Sequence, residues 1–99
     1  MELRIARSAL EDLRGIKTYY VEQGVAHIGG EYVSAILKRC DMLKQHPDAG
    51  RIVPELDQDH VRELIHPPYR VVYLKQAAEV VLVRVWRSER LLALPADSP

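Results

Sequence analysis

Cysteine is nearly missing from this 99-residue chain, and the one present, Cys40, excludes an internal disulfide. There is no C-x-x-C pair and no H-E-x-x-H. Asp57 and Asp59 make too small a set for a hard cation, so no metal site is expected. No glycine-rich phosphate loop opens a helix. Gly29-Gly30 lacks that motif's lysine and preceding strand, and no cofactor is expected. No apolar run approaches the roughly 20 residues of a membrane helix. The start, "MELRIARSAL", carries Glu2, Arg4 and Arg7 and lacks the apolar block of a signal peptide. These absences point to a cytosolic protein without membrane contact.

Net charge is also missing: 14 basic residues face 14 acidic ones, so composition does not announce a nucleic-acid binder. The distribution says more. Residues 60–90 hold Arg62, Arg70, Lys75, Arg84, Arg87 and Arg90 against Glu63, Glu79 and Glu89, a local excess of positive charge. Ten of the fourteen basic residues are arginine, the side chain suited to bidentate contact with phosphate or carboxylate.

What is present reads as one domain over 1–99, with 47% apolar residues to fill one modest core. "ELRIA" (2–6) alternates like a half-buried strand. Ser8 and Glu11 have the spacing of a capping box, and Leu10, Leu13, Ile16 and Tyr20 draw an apolar helical stripe. Gly24 suits a helix stop. Ile28, Tyr32, Ile36, Cys40 and Leu43 mark a second helix that Pro47 ends. Gly29-Gly30 near its start is read as a close approach to the first helix. "GRIVPEL" is extended but kept from the sheet centre by Pro54. Val61–His66, "YRVVYLK" and "VVLVRVWR" are strands, the last two nearly continuous in apolar character. Pro67-Pro68 has no N–H for a ladder and lies between strands. The order β-α-α-β-β-β predicts an α+β fold, an antiparallel sheet with a helical hairpin packed on one face. The tail is expected to be ordered at Leu91–Leu94 and frayed after Pro95.

Two guanidiniums, Arg62 and Arg70, are expected together on the open sheet face, joined by Arg84 or Arg87 from the last strand. Such a cluster grips an RNA phosphate or a carboxylate-rich partner. The plain alternative is that each pairs with a nearby acid such as Glu63, Glu55 or Glu89. Metal-free RNA cleavage needs a base, an acid and cations on the phosphorane. Arg62, Arg70 and Arg87 supply the cations on that reading, and His66 is the one nearby histidine. Cys40 reads as core, Ser8 as a cap, and Trp86 as core or as a stacking platform.

"SALEDLRGIKTYY", "HPDAGRIVPEL", "VRELIHPPYRVVY" and "VVLVRVWRSERLL" resemble the RelE/ParE superfamily, the toxin halves of bacterial type II toxin–antitoxin pairs. The likeness runs from Leu3 to about Leu92. Its elements are Asp12-Leu13, Pro47…Gly50-Arg51, Arg62-Glu63-Leu64 and Tyr69-Arg70-x-x-Tyr73. RelE-like toxins cut messenger RNA on the ribosome with basic residues and a tyrosine near the C-terminus. ParE-like toxins block DNA gyrase. Here Arg70 matches the arginine of the RelE-type third strand, Arg62 falls near one lysine, and Arg87 or Arg90 near the last-strand arginine. The lysine pair is not reproduced, and no tyrosine follows Tyr73. The resemblance therefore implies a ParE-like inhibitor of gyrase, the ribosome-dependent mRNA endonuclease being the alternative. Arg62, Arg70, Arg84, Arg87 and Arg90 would contact the target. On the nuclease alternative Arg62, Arg70, Arg87 and His66 would be catalytic. The implied partner is a cognate antitoxin in a hetero-oligomer.

Overall fold

The structure, a computed structural model, describes residues 1–88. Its elements are β1 (Glu2–Ile5), α1 (Arg7–Glu22), α2 (Ala26–Cys40), a 3-10 turn (Asp41–Lys44), β2 (Arg51–Ile52), β3 (Val61–His66), β4 (Tyr69–Lys75) and β5 (Glu79–Arg87). One sheet runs in the order β1-β5-β4-β3-β2. The α+β class and the helical hairpin on one face are as the sequence implies. The sheet is mixed, because β1 lies parallel to β5 while the other pairs are antiparallel. Alternation shows a strand's two faces but not its neighbour, and β1's neighbour comes from the far end of the chain. No helix among the described residues is long and apolar enough to cross a membrane. The expectations for Leu91–Leu94 and Pro95 fall outside the described residues, as does the one for Arg90.

The first helix starts differently from its sequence signal. Ala6 stands at the N-cap without a side-chain cap, so the Ser8–Glu11 capping box does not form. Ser8 Oγ instead donates to the Val83 carbonyl at 2.5 Å. The reason is the edge of β5, which β1 covers only as far as Leu82. With Ala6 at the N-cap, Ser8 lies inside the first turn, and the uncovered Val83 carbonyl takes its hydroxyl proton. The buried stripe uses Ala9, Leu13 and Ile16, with Leu10 39% exposed. At the other end Gly24 has φ 79°, Val25 N donates to Tyr20 O and Gly24 N to Val21 O, the paired closure of a glycine-terminated helix.

Gly29 is where the two helices meet. A Cβ there would lie 3.1 Å from Lys17 Cα and from Tyr20 Cβ, whereas Gly30 faces open space. Close approach explains one glycine of the pair. The main core lies between the hairpin and the sheet: Leu13, Ile36 and Leu43 pack against Leu64, Val71, Tyr73 and Leu82. A second cluster, Val53, Val61 and Val72 with Leu74, Val83 and Trp86 at its margin, sits on the opposite sheet face.

A bulge in β5 decides which residues share those faces. Val72 pairs with Arg84 but Tyr73 pairs with Leu82, leaving Val83 without an opposite residue. Val80 and Leu82 therefore face the helices, and beyond the bulge Val85 does. Val83, Arg84 and Trp86 are left on the other side.

Candidate functional site

The segments that carry the family resemblance hold one another. Tyr73, wholly buried, accepts a hydrogen bond from Gly50 N at 2.9 Å and donates to Pro47 O at 2.7 Å. Burial pushes its phenol pKa up. Gly50 has no room for a side chain, since a Cβ would stand 2.5 Å from Glu63 O and 2.7 Å from Tyr73 Oη. Arg62 closes the same corner. Its guanidinium donates to Gly50 O at 3.0 Å, Asp59 O at 3.0 Å and Asp59 Oδ1 at 2.7 Å. Lys75 joins through Asp48 at 2.6 Å and Asp59 at 3.3 Å. The Lys75 ammonium first, and Arg62 with it, holds the Asp59 carboxyl below its ordinary pKa.

On the sheet face away from the helices lies a second set. The Glu63 side chain has no exposure, yet it accepts from Arg51 Nε at 2.5 Å and from Arg70 Nε. Arg70 Nη2 reaches Glu55 Oε1 at 2.6 Å. A buried carboxylate is tolerable here because two guanidiniums satisfy it.

The expected arginine cluster does not form. Arg62 shares its face with Leu64 and lies on the helix side at the start of β3, while Arg70 shares its face with Val72 on the other side. Both are tied to acids, Glu63 and Glu55 among them, as the plain alternative had it. Arg84 does lie with Arg70 on the open face, but Asp12 holds it by two hydrogen bonds, Nε at 2.8 Å and Nη2 at 3.1 Å. Arg87 is exposed and stands 5.7 Å over the Tyr69 ring on the helix side. His66 pairs with Tyr69 in the ladder, with Nδ1 buried and without a hydrogen-bond partner. It borders a hollow lined by Ile28, Glu31, Tyr32 and Ala35. The four residues assigned to the nuclease alternative thus fall in three places. Burial, then the Tyr20 hydroxyl, push the phenol pKa of the neighbouring Tyr69 up.

Two features were not read from the sequence. The first is an apolar trough on the open face. It is a concavity of about 550 Å³ walled by Val53, Leu56, Val61, Val72, Val83 and Trp86, with Glu55, Arg70 and Arg84 at its rim. The signal was present in β4 and β5, whose apolar character on both faces implies a second covered side. The second is Asp12. Beyond the end of β1, its Oδ2 accepts from Val85 N at 2.8 Å and so replaces a missing strand. Through Arg84, which lies 4.5 Å from the Trp86 ring, Asp12 also fixes one wall of the trough.

The chain and its fold have known counterparts. The family model described as the ParE toxin of type II toxin-antitoxin system, parDE, matches residues 3–92. A solved structure described as the chromosomal ParDE TA system from P. aeruginosa is similar, with TM-score 0.74 and 25% identity over 88% of this chain and 95% of that one. No curated protein matches. With the family model covering nearly all of the described fold, the chain belongs to the ParE toxin family of type II toxin–antitoxin systems.

Proposed function

We propose that this protein arrests growth when free of its antitoxin by poisoning DNA gyrase, without cutting RNA, and that it works in the cytosol. One observation carries the choice between targets. Arg62 and Arg70, the cations an RNA-cutting relative would aim at one phosphate, lie on opposite sheet faces and are bound to carboxylates. A phosphorane needs convergent donors in one place. Target contact is assigned to Arg87, exposed at the end of β5, and to Arg90 beyond it. Arg62 and Arg70 are assigned to the framework.

The antitoxin is assigned to the open-face trough, forming a hetero-oligomer. Leu56 is 53% exposed beside it, and the apolar walls offer burial worth about 25 cal/mol per Å² before ordering costs. The test is a gyrase supercoiling assay with purified protein, run beside primer extension on messenger RNA after induction. Loss of supercoiling with intact transcripts is the expected result. Normal supercoiling together with cuts between codon positions would replace this reading by the endonuclease.

A further inference from the structure

Glu55 and Glu63 both bind Arg70 but differ in how firmly they are placed. Glu63 has no side-chain exposure and also holds Arg51, so it belongs to the fold. Glu55 lies on the loop between β2 and β3, with its side chain 31% exposed, and meets Arg70 through Nη2. The neighbouring Leu56 is left exposed, and Asp57 has φ 51°, a conformation that a residue with a side chain adopts reluctantly. That loop therefore packs little of its own surface. The hydrogen bond from Arg70 holds the Glu55 carboxyl below its ordinary pKa.

We infer that Glu55 is an internal placeholder on the trough, occupying on Arg70 the position that an acidic residue of the partner segment takes when it docks. This rests on the trough being the partner's docking site. Exchanging one carboxylate for another keeps the charge around Arg70 unchanged, so the swap leaves no buried ion without a partner. The occupant follows from the walls and the rim together. Val53, Val61, Val72 and Val83 ask for apolar side chains, whereas Arg70 and the half-exposed Arg84 ask for an anion. A polypeptide segment alternating apolar and acidic residues satisfies both. A nucleic acid would leave the apolar wall in contact with charge. A segment without an acid has no carboxylate to exchange, so it leaves the Glu55–Arg70 pair in place and its binding does not depend on Glu55.

Trp86, the chain's one tryptophan, lines the trough and reports its occupancy by fluorescence. The full chain, E55A and E55Q are titrated with a leucine–glutamate amphipathic peptide, its leucine–glutamine counterpart and a short oligouridylate. E55A is expected to bind the glutamate peptide about five- to tenfold more tightly than the unaltered chain, roughly 1–1.4 kcal/mol, with no gain for the glutamine peptide. E55Q, which keeps the side-chain shape without the charge, moves in the same direction and serves if E55A folds poorly. Equal affinities, or equal gains for both peptides, would overturn the placeholder while a responding Trp86 leaves the docking reading standing. Silence of Trp86 with every peptide and variant would remove both. A gain for the oligouridylate alone would make Arg70 a phosphate site and overturn the carboxylate exchange.

Discussion

Arg70 and Glu63 lie diagonally across neighbouring strands, Arg70 opposite Ile65 and Glu63 opposite Val72, and Arg70 Nε donates to Glu63 Oε1 on the face away from the helices. Both side chains are buried, at 6% and 0% exposure. The most suggestive arginine of the sequence therefore has a structural occupation. The same holds for Arg62, which ties Gly50, Asp48 and Asp59 to the start of β3.

Removing one member of the buried pair should cost more than any surface change. Arg70→Ala leaves Glu63 with Arg51 alone, and a loss of about 3 kcal/mol is expected, near the lower end for a broken buried pair. Urea denaturation with an unchanged slope measures it. A cost below about 0.5 kcal/mol would mean the pair contributes little.

Tyr73→Phe tests the clamp on the corner between α2 and β2. It removes the acceptor of Gly50 N and the donor to Pro47 O without opening a cavity, so about 1–3 kcal/mol should be lost. Gly50→Ala acts on the same contact from the other side and should be at least as damaging, since its Cβ meets backbone as well as the Tyr73 ring.

How far these contacts were legible differs with their range. The helical hairpin, the strand boundaries of β3, β4 and β5 and the loop placement of Pro67-Pro68 follow from periodicity and proline chemistry, which are local. Ser8 failed as a cap because the helix starts ahead of it, after Ala6, where its hydroxyl meets the edge of β5, and nothing within a few residues of Ser8 announces that edge. The bulge at Val83 moved Arg84 and Trp86 to the open face, where strict alternation from Val80 places them on the helix side. The pairing of Arg62 and Arg70 with acids is one of the two readings the sequence allows, and their separation onto opposite faces follows from parity once Leu64 and Tyr69 face the helices. Asp12 was visible as part of the family resemblance, but not its role, which depends on β1 ending at Ile5.

Asp12 allows two of its duties to be separated. Asp12→Asn retains an oxygen for Val85 N but weakens the grip on Arg84, and about 0.5–1 kcal/mol is expected. Asp12→Ala strands the Val85 amide as well and should cost about 1–3 kcal/mol. Only Asn and Ala variants whose Trp86 emission shifts agree with an Arg84 that rests on the indole.

Acid should loosen the loops around the trough. Glu55 is held below its ordinary pKa by Arg70, and Asp59 by Lys75 and Arg62. Each folded-state pKa lies below the unfolded one, so the contribution is complete above the ordinary carboxylate range, about 4, and is lost as pH falls through the lower folded values. Stability measured by denaturation should fall below about pH 4 in the unaltered chain, and less steeply in E55Q. Identical slopes in the two proteins would exclude Glu55 as a contributor.

The most direct test replaces the buried ion pair by apolar side chains, since such exchanges are commonly neutral or stabilising. The double variant R70M/E63L is induced in cells without antitoxin, after thermal unfolding has shown that it is folded. Growth arrest equal to that of the unaltered protein is the expected result if Arg70 serves the framework, as proposed, and not the contact with the target. A folded R70M/E63L protein that no longer arrests growth would contradict it.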